Sequence, residues 1–553
     1  MKREPFYSSW FLFFSRPIAT VGGAALILAV FGMLSRILGL IRDRLLASTF
    51  GAGDILDVYY ASFRIPDFLY GILVLGGLSA AFIPIFSKIY TKGNLDEAWK
   101  LTSDFLVFLV GSIAFLACIL FLGMPVFIYA VAPGFEGLKL SLTIELTRIM
   151  LLSPIILGAS AVFGGVLISR RSFFSYATAP IVYNVGIIFG VLVFSKELGP
   201  SGLAWGVVLG SFLHFLVQSL SVFRDGYHFQ FSFVAPWRNP KIQRILILMI
   251  PQIFSIASTQ IYFWIITFFA SIMTSGSLAV FNFANNFQSI PLALIGVSFA
   301  VAAFPKLSAS AQEVDMVHFR HIFIHTARRI LYFVLPASAL LILLRAELVR
   351  VVLGSGVFNW EDTTRTFQVL GLLSISLFAQ SLLPLAIRAF YSLEDTKTPF
   401  FVALFSQIIN IILILMTWRL WGVYSLAIAF SVASIIQIVL LFFFLKKYVG
   451  GWKNDEDEIS FNIMPMIASV VAMAFCVQGM KLFWGTVTNL DTFWEVFTRL
   501  TASGLVGVAT YALMSHFLNI DEFCDFRKKV YSRLFGKTKT LALIREEEES
   551  REM

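Results

Sequence analysis

Apolar residues along this chain gather into long blocks broken by short polar turns, rather than alternating with polar ones. Blocks of about 20 residues match helices that cross a hydrocarbon core of about 30 Å, whereas barrel strands would show about ten residues of alternating polarity. Laid along the chain, that ruler predicts fourteen spans: 18–40, 58–86, 104–132, 141–168, 178–195, 202–222, 241–273, 276–305, 322–353, 364–391, 400–417, 422–445, 462–485 and 494–518. Polar stretches from Arg224 to Arg244 and from Lys446 to Glu458 divide them into six, six and two. The expected fold is an all-α polytopic membrane protein of about fourteen transmembrane helices. Its expected parts are an N-terminal six-helix lobe (1–223), a C-terminal six-helix lobe (224–447), two additional helices (448–520) and a charged tail (521–553).

Composition agrees. Of the 553 residues 58% are hydrophobic and 14% charged, against about 45–50% and 25% in soluble chains. The 59 Phe, 16 Tyr and 11 Trp exclude intrinsic disorder. The net charge of +9 lies mostly in short loops and the tail. Lys2, Arg3 and Arg16, then Lys88 and Lys92, Arg170 and Arg171, Arg388 and Lys397, and Lys446 and Lys447 all fall on one side of the fourteen-span count. That bias predicts both termini in the cytoplasm. Ile18 to Leu40 is too long for a cleavable signal and reads as the first permanent span. The basic run Arg527 to Lys539 suits anionic headgroups, not nucleic acid. Cys118, Cys476 and Cys524 have no pair spacing, so neither a disulfide framework nor a metal site is expected. Without a Walker loop or a GxSxG elbow, the chain is not expected to be an enzyme.

Two features bear on function. The halves echo one another: Gly164 to Arg171, then Pro180 and Asn184, against Ile387 to Tyr391, then Glu394 to Pro399 and Asn410. Internal repeats are a common plan for transporters, with the substrate path between the repeats. Charges also concentrate where they are costly, in the first two spans: Arg36, Arg42, Asp43, Arg44, Asp57, Arg64 and Asp67. Arg42 with Asp43, and Arg64 with Asp67, can pair locally, as can Glu145 with Arg148. Such pairs are either structural or the wall of a water-filled cavity. An arginine wall suits a phosphate ester, because the guanidinium fork stays charged and binds phosphate oxygens bidentately. Pro66, Gly71, Gly76 and Gly77 would allow the second span to bend beside a gate. His214 is expected to be a hydrogen-bonded core histidine.

Ser35-Arg36-Ile-Leu-Gly39-Leu-Ile-Arg42-Asp43, then Phe50-Gly51-Ala52-Gly53-Asp54-Ile-Leu-Asp57, resembles the MurJ (MviN) family of lipid II flippases in the MOP (multidrug/oligosaccharidyl-lipid/polysaccharide) exporter superfamily. Ala61 to Asp67, Ser79 to Pro84, Ala132 to Phe135 and Phe390 to Pro399 extend the match. The resemblance implies alternating access between two six-helix lobes of a multi-pass protein in the bacterial cytoplasmic (inner) membrane, serving peptidoglycan and cell-wall synthesis. The implied substrate is undecaprenyl-pyrophosphate-linked disaccharide-pentapeptide, moved from the inner to the outer leaflet. Membrane lipids and cell-wall synthesis proteins are the other partner classes, and a monomer is expected. The last two helices would form a groove for the lipid tail. Arg36, Arg42, Asp43, Asp57 and Arg64 match the family's charged positions, and with Asp67, Asn285 and Asn286 they form the expected substrate-binding set, Pro66, Gly76 and Gly77 the hinge.

Departures qualify the match. Tyr70, Gly71 and Leu75, and Asn285 and Asn286, replace charges typical of the family. The asparagines can still donate hydrogen bonds to phosphate or sugar. Spans 241–273 and 400–445 contain no Asp or Glu, which removes the carboxylates of a sodium site described in the family. No metal or cofactor is therefore expected, and membrane potential is the expected drive, with the coupling ion open. Two alternatives stand beside the flippase: export of another polyprenyl-linked saccharide or amphiphile, and a membrane scaffold for envelope synthesis.

Overall fold

The structure is a computed structural model that describes residues 21–75, 82–230, 239–451, 462–488 and 492–535. Among these, the regular elements are helices. Ten helices are long and apolar enough to cross a membrane, or eleven if the pair Trp360–Ile375 and Leu377–Ser392, bent by 47°, is one span. The bend falls at Ser376, whose hydroxyl engages the Leu373 carbonyl and Ser431. Such a side-chain intrusion into the helical ladder is a recognised cause of kinks. The predicted span 241–273 coincides with helix Pro240–Ser271, and the span 18–40 falls in the longer helix Val21–Phe50. The span 58–86 is a broken series instead: Asp54–Ser62, Arg64–Tyr70, a widened turn Gly71–Leu75, then Ile83–Thr91. Gly76 and Gly77 lie outside the described residues.

The chain forms two compact units: Met1–Phe283 with Val352–Thr363 and Ile414–Leu426, and Ala284–Val351 with Thr364–Leu413 and Ala427–Met553. In the first, Phe82 stacks between Phe86 and Phe105 at ring distances of 5.6 and 5.0 Å, in a core that continues through Val162 and Leu167. Two helices of this unit meet backbone to backbone. Gly186 and Gly190 of the segment from Phe173 face Gly210 and Gly206 of Ser201–Arg224, and a methyl group at any of them would overlap the opposite main chain. Small residues spaced by four are how membrane helices gain close packing when lipid is as apolar as their side chains.

The second unit is built around Met316–Leu343, where Phe319, Phe323 and Leu331 are buried. Met464–Val487 and Phe493–Phe517 belong to it, and the Tyr511 hydroxyl donates to the Tyr332 carbonyl at 2.8 Å. Buried Glu347 receives Lys481 at 3.0 Å and Arg499 at 3.4 Å. The start of the tail is a helix, Asp521–Phe535, held by Arg328 to Glu522 at 2.8 Å and Arg329 to Asp525 at 3.1 Å. Both units turn large apolar side chains outward: Leu122 is 74% exposed, Met416 71% and Phe475 75%. Water would make that surface costly, whereas hydrocarbon makes it the solvent-facing side.

Candidate functional site

The first helix runs to Phe50, ten residues past the predicted end, because its charges are satisfied inside the first unit. Asp43 is 3% exposed and accepts from Arg42 Nε at 3.0 Å and Nη2 at 2.9 Å. Arg42 Nη1 donates to Asn184 Oδ1 at 3.1 Å. The Asn184 amide donates to the Ser35 carbonyl and hydroxyl, at 3.3 and 3.2 Å, and to the Pro180 carbonyl at 3.1 Å. One asparagine thus ties the first helix to the helix Phe173–Phe189 and aims the guanidinium. Three of the five guanidinium N–H groups are engaged by partners among the described residues, and the side chain is 23% exposed. The local Arg42–Asp43 pair forms as the sequence predicts. Arg36, on the same helix, is half-buried.

Arg64 departs from expectation. It does not pair with Asp67. Its Nε donates to Thr267 Oγ1 at 2.7 Å and Nη2 to Asn282 Oδ1 at 3.1 Å, with the guanidinium 5.1 Å from the Phe263 ring. Asp67 instead lines a separate cavity of about 260 Å³ with Pro66, Tyr70, Tyr183 and His214. His214 accepts or shares a proton with Ser160 Oγ at 2.7 Å, the hydrogen-bonded core role expected of it.

A second cluster forms a clasp at the end of the first unit that carries residues 51–57. Asp57, 1% exposed, accepts from Lys139 Nζ at 2.9 Å and from the backbone N–H groups of Gly276 at 2.8 Å and Ala279 at 3.0 Å. It caps the N-terminus of helix Ser277–Pro291 from another part of the chain, where a carboxylate satisfies otherwise unpaired donors and the helix dipole. Asp54 accepts from Lys139 Nζ and from Ser275 Oγ, both at 2.7 Å. The hydrogen bond from Lys139 is the main cause that holds the Asp54 carboxyl below its ordinary range. The Ala52 N–H donates to Asp362 Oδ2 at 3.1 Å, and the Val357 N–H to the Ser48 carbonyl at 2.9 Å. Gly276, at φ +80°, lies so close to the Ala52 carbonyl that no side chain fits.

Lys139, Thr267, Asn282, Ser275, Gly276 and Asp362 were not singled out as site residues by sequence reasoning. The available signal was Asp54 and Asp57 three apart at a helix start, two carboxylates on one face that require a cation. Asn285 and Asn286 are half-buried on Ser277–Pro291, in the part of that helix assigned to the second unit. Pro66 sits in the first turn of Arg64–Tyr70, where a proline needs no hydrogen-bond donor.

Comparison with known proteins places this arrangement. A model of the family described as "Lipid II flippase MurJ" matches residues 46–497. The chain belongs to the MurJ lipid II flippase family. A relative from Rhizobium tropici, described as a probable lipid II flippase MurJ, is 27% identical over 505 residues, covering 90% of this chain and 91% of that protein. Among solved structures, a lipid II flippase MurJ in an inward closed conformation is similar with a TM-score of 0.72 at 22% identity, covering 90% of this chain and 99% of that one. An inward-facing MATE family multidrug resistance transporter of the MOP superfamily has a TM-score of 0.64 at 15% identity, covering 78% and 100%. These likenesses show the MOP-type helical fold. The family is one of transporters, so the chain is a multi-pass membrane transporter and not an enzyme.

Proposed function

We propose that this chain flips lipid II, undecaprenyl-pyrophosphate carrying a disaccharide-pentapeptide, from the inner to the outer leaflet of the bacterial cytoplasmic membrane. Both termini lie in the cytoplasm, and fourteen helices form two six-helix lobes (1–223 and 224–447), a pair for the lipid tail (448–520) and a tail (521–553). A headgroup of this size and polarity cannot cross about 30 Å of hydrocarbon unaided. The observation that carries the reading is Arg42: a guanidinium fixed by Asp43 and Asn184 inside the helical unit, with two N–H groups not engaged among the described residues and open to an anion. Arg36 supplies a further positive charge, and Asn285 and Asn286 are the neutral donors proposed for pyrophosphate and sugar.

The Asp57–Lys139 clasp is the outer gate in its closed form. Alternating access requires Asp57 to release Gly276 and Ala279, and Arg64 to release Thr267 and Asn282. Membrane potential is the drive and no cofactor takes part. An anion leaving a negative interior moves downhill by about 2.3 kcal/mol per charge per 100 mV.

The test is rescue of a bacterium depleted of its own lipid II flippase. Wild type rescues, and Arg42→Ala, compared at an equal level in the membrane, does not. Failure of wild type to rescue, with no binding of lipid II by purified protein, would sink the assignment. Because Tyr70, Gly71, Leu75, Asn285 and Asn286 thin the family's charge, native mass spectrometry of co-purified lipids separates lipid II from another polyprenyl-linked saccharide. A disulfide between Asp54→Cys and Ser275→Cys separates transport from a scaffold role. Locking the clasp stops growth until reductant is added if transport is the role, and leaves growth intact if it is not.

A further inference from the structure

A cavity of about 790 Å³ in the first unit has no place in the flipping path above. It lies apart from the Asp67 cavity, between helices Leu95–Leu122, Gly137–Met150 and Ser201–Arg224, and opens to the exterior. Its walls are apolar for most of their length, with Ala117, Phe121, Ile144, Ile155 and the 41%-exposed Trp205. Two charged residues, Glu145 and Arg148, line the same space one helical turn apart. The sequence predicts that they pair, and they do not. Glu145 Oε1 accepts from the Ser201 hydroxyl at 2.5 Å. Arg148 Nε donates to the Phe121 carbonyl at 3.2 Å, and its guanidinium lies 4.9 Å from the Phe121 ring.

Each charge is therefore oriented by a neutral neighbour rather than cancelled by its opposite. Among the described residues no hydrogen-bond partner engages the terminal N–H groups of Arg148 or Glu145 Oε2, which leaves the first for an anion and the second for a cation. Their side chains spring from positions about 5–6 Å apart, as at any three-residue helical spacing. A headgroup that carries both a phosphate and an ammonium matches this pair of opposite charges. The ammonium should carry N–H bonds, because a carboxylate and a hydroxyl accept hydrogen bonds, whereas a quaternary ammonium is recognised by aromatic faces. A headgroup with a phosphate and no amine would satisfy Arg148 and leave Glu145 without a cation. The apolar length of the groove suits acyl chain, and its volume is within the about 300–1,000 Å³ of ligand sites.

We propose that this groove is a specific site for a zwitterionic phospholipid with a primary-amine headgroup, its phosphate on Arg148, its ammonium on Glu145 and an acyl chain along Phe121, Ile155 and Trp205. The site does not depend on which lipid-linked saccharide the protein moves.

The experiment uses the full chain in nanodiscs of mixed phosphatidylethanolamine and phosphatidylglycerol, released into a native mass spectrometer. Wild type should retain phosphatidylethanolamine over phosphatidylglycerol by about tenfold relative to the bulk mixture, a ratio set by the paired charge-assisted contacts. Glu145→Gln/Arg148→Gln should bring that ratio close to one while melting like wild type. No preference in wild type, or a preference unchanged in the double variant, overturns the proposal. A polyprenyl phosphate that is retained by wild type and lost from the double variant also overturns it, by naming a different occupant. Should the double variant fail to fold, vesicles with bromine-labelled acyl chains decide. The fluorescence due to Trp205, taken as wild type minus Trp205→Phe, should be quenched more by brominated phosphatidylethanolamine than by brominated phosphatidylglycerol. Equal quenching overturns the site.

Discussion

Asn184 and Asn410 stand at matching places in the two halves, and their surroundings differ. Each follows a turn whose backbone enters the left-handed region, at Arg171 with φ 61° and at Glu394 with φ 60°. Asn184 is engaged on both ends, accepting from Arg42 and donating to Ser35 and Pro180. Asn410 is fully buried, donates to Gln407 Oε1 at 3.4 Å, and its Oδ1 has no partner among the described residues. The two turns share this backbone conformation, while the surroundings of the two asparagines differ. One asparagine orients an arginine, and the other is a buried carbonyl with nothing to accept.

Removing the cation from the charged half should have the largest effect. Arg42→Ala removes the ion pair to buried Asp43 and should destabilise the fold, by at most about 3–5 kcal/mol. Its melting temperature should fall in detergent and rescue should fail. Arg42→Lys returns the charge without the fork, so stability should recover further than rescue does. Next comes the asparagine pair itself. Asn184→Leu strands Arg42 and Ser35 together and should cost about 1–3 kcal/mol, with weakened rescue. Asn410→Leu removes an unsatisfied carbonyl, so its melting temperature should hold or rise, with rescue intact. Equal losses from the two leucine variants would erase the distinction between the halves.

The smallest effect compares two carboxylates outside the spans. Lys139 holds the Asp54 carboxyl below its ordinary range. Partial burial pushes the Asp395 carboxyl up, but hydrogen bonds from Thr398, Tyr448 and the Lys397 N–H outweigh it and leave it lowered. A depressed carboxyl stabilises the fold fully above its unfolded pKa of about 4, and the contribution is lost as pH falls through the folded value. Both Asp54→Asn and Asp395→Asn should flatten the acid limb of a melting-temperature profile. The Asp54 contribution should fade with added salt, because its side chain is 62% exposed and pairs with a lysine. The Asp395 contribution should not, since its partners are uncharged groups and helix N–H donors.

Block length and basic loops made most of the helices legible in the sequence, because spanning hydrocarbon fixes how long an apolar helix must be. The Arg42–Asp43 pair was legible for a similar reason, since adjacent residues are close in any fold. Arg64 was not. Asp67 is near in sequence, but Thr267 and Asn282 are the partners, and nothing local to residue 64 announces residues two hundred positions away. Glu145 and Arg148 failed in the same manner, with Ser201 and the Phe121 carbonyl prevailing over the neighbour on the helix. Asn184 was noticed as a mark of the repeat, while its role as a rest for Arg42 needed the packing of two distant helices. The widened turn at Gly71–Leu75 was not legible, since the expected hinge was Pro66 with Gly76 and Gly77, and the two glycines lie outside the described residues.

The glycine seam between the segment from Phe173 and the helix Ser201–Arg224 has a mechanical consequence. Where main chain rests on main chain, no rotamer can swing aside to absorb a displacement. Those two helices must travel as one strut, and Asn184, fixed to that strut, obliges Arg42 to travel with it. The guanidinium keeps its bearing on the surrounding scaffold through whatever excursion the rest of the molecule makes.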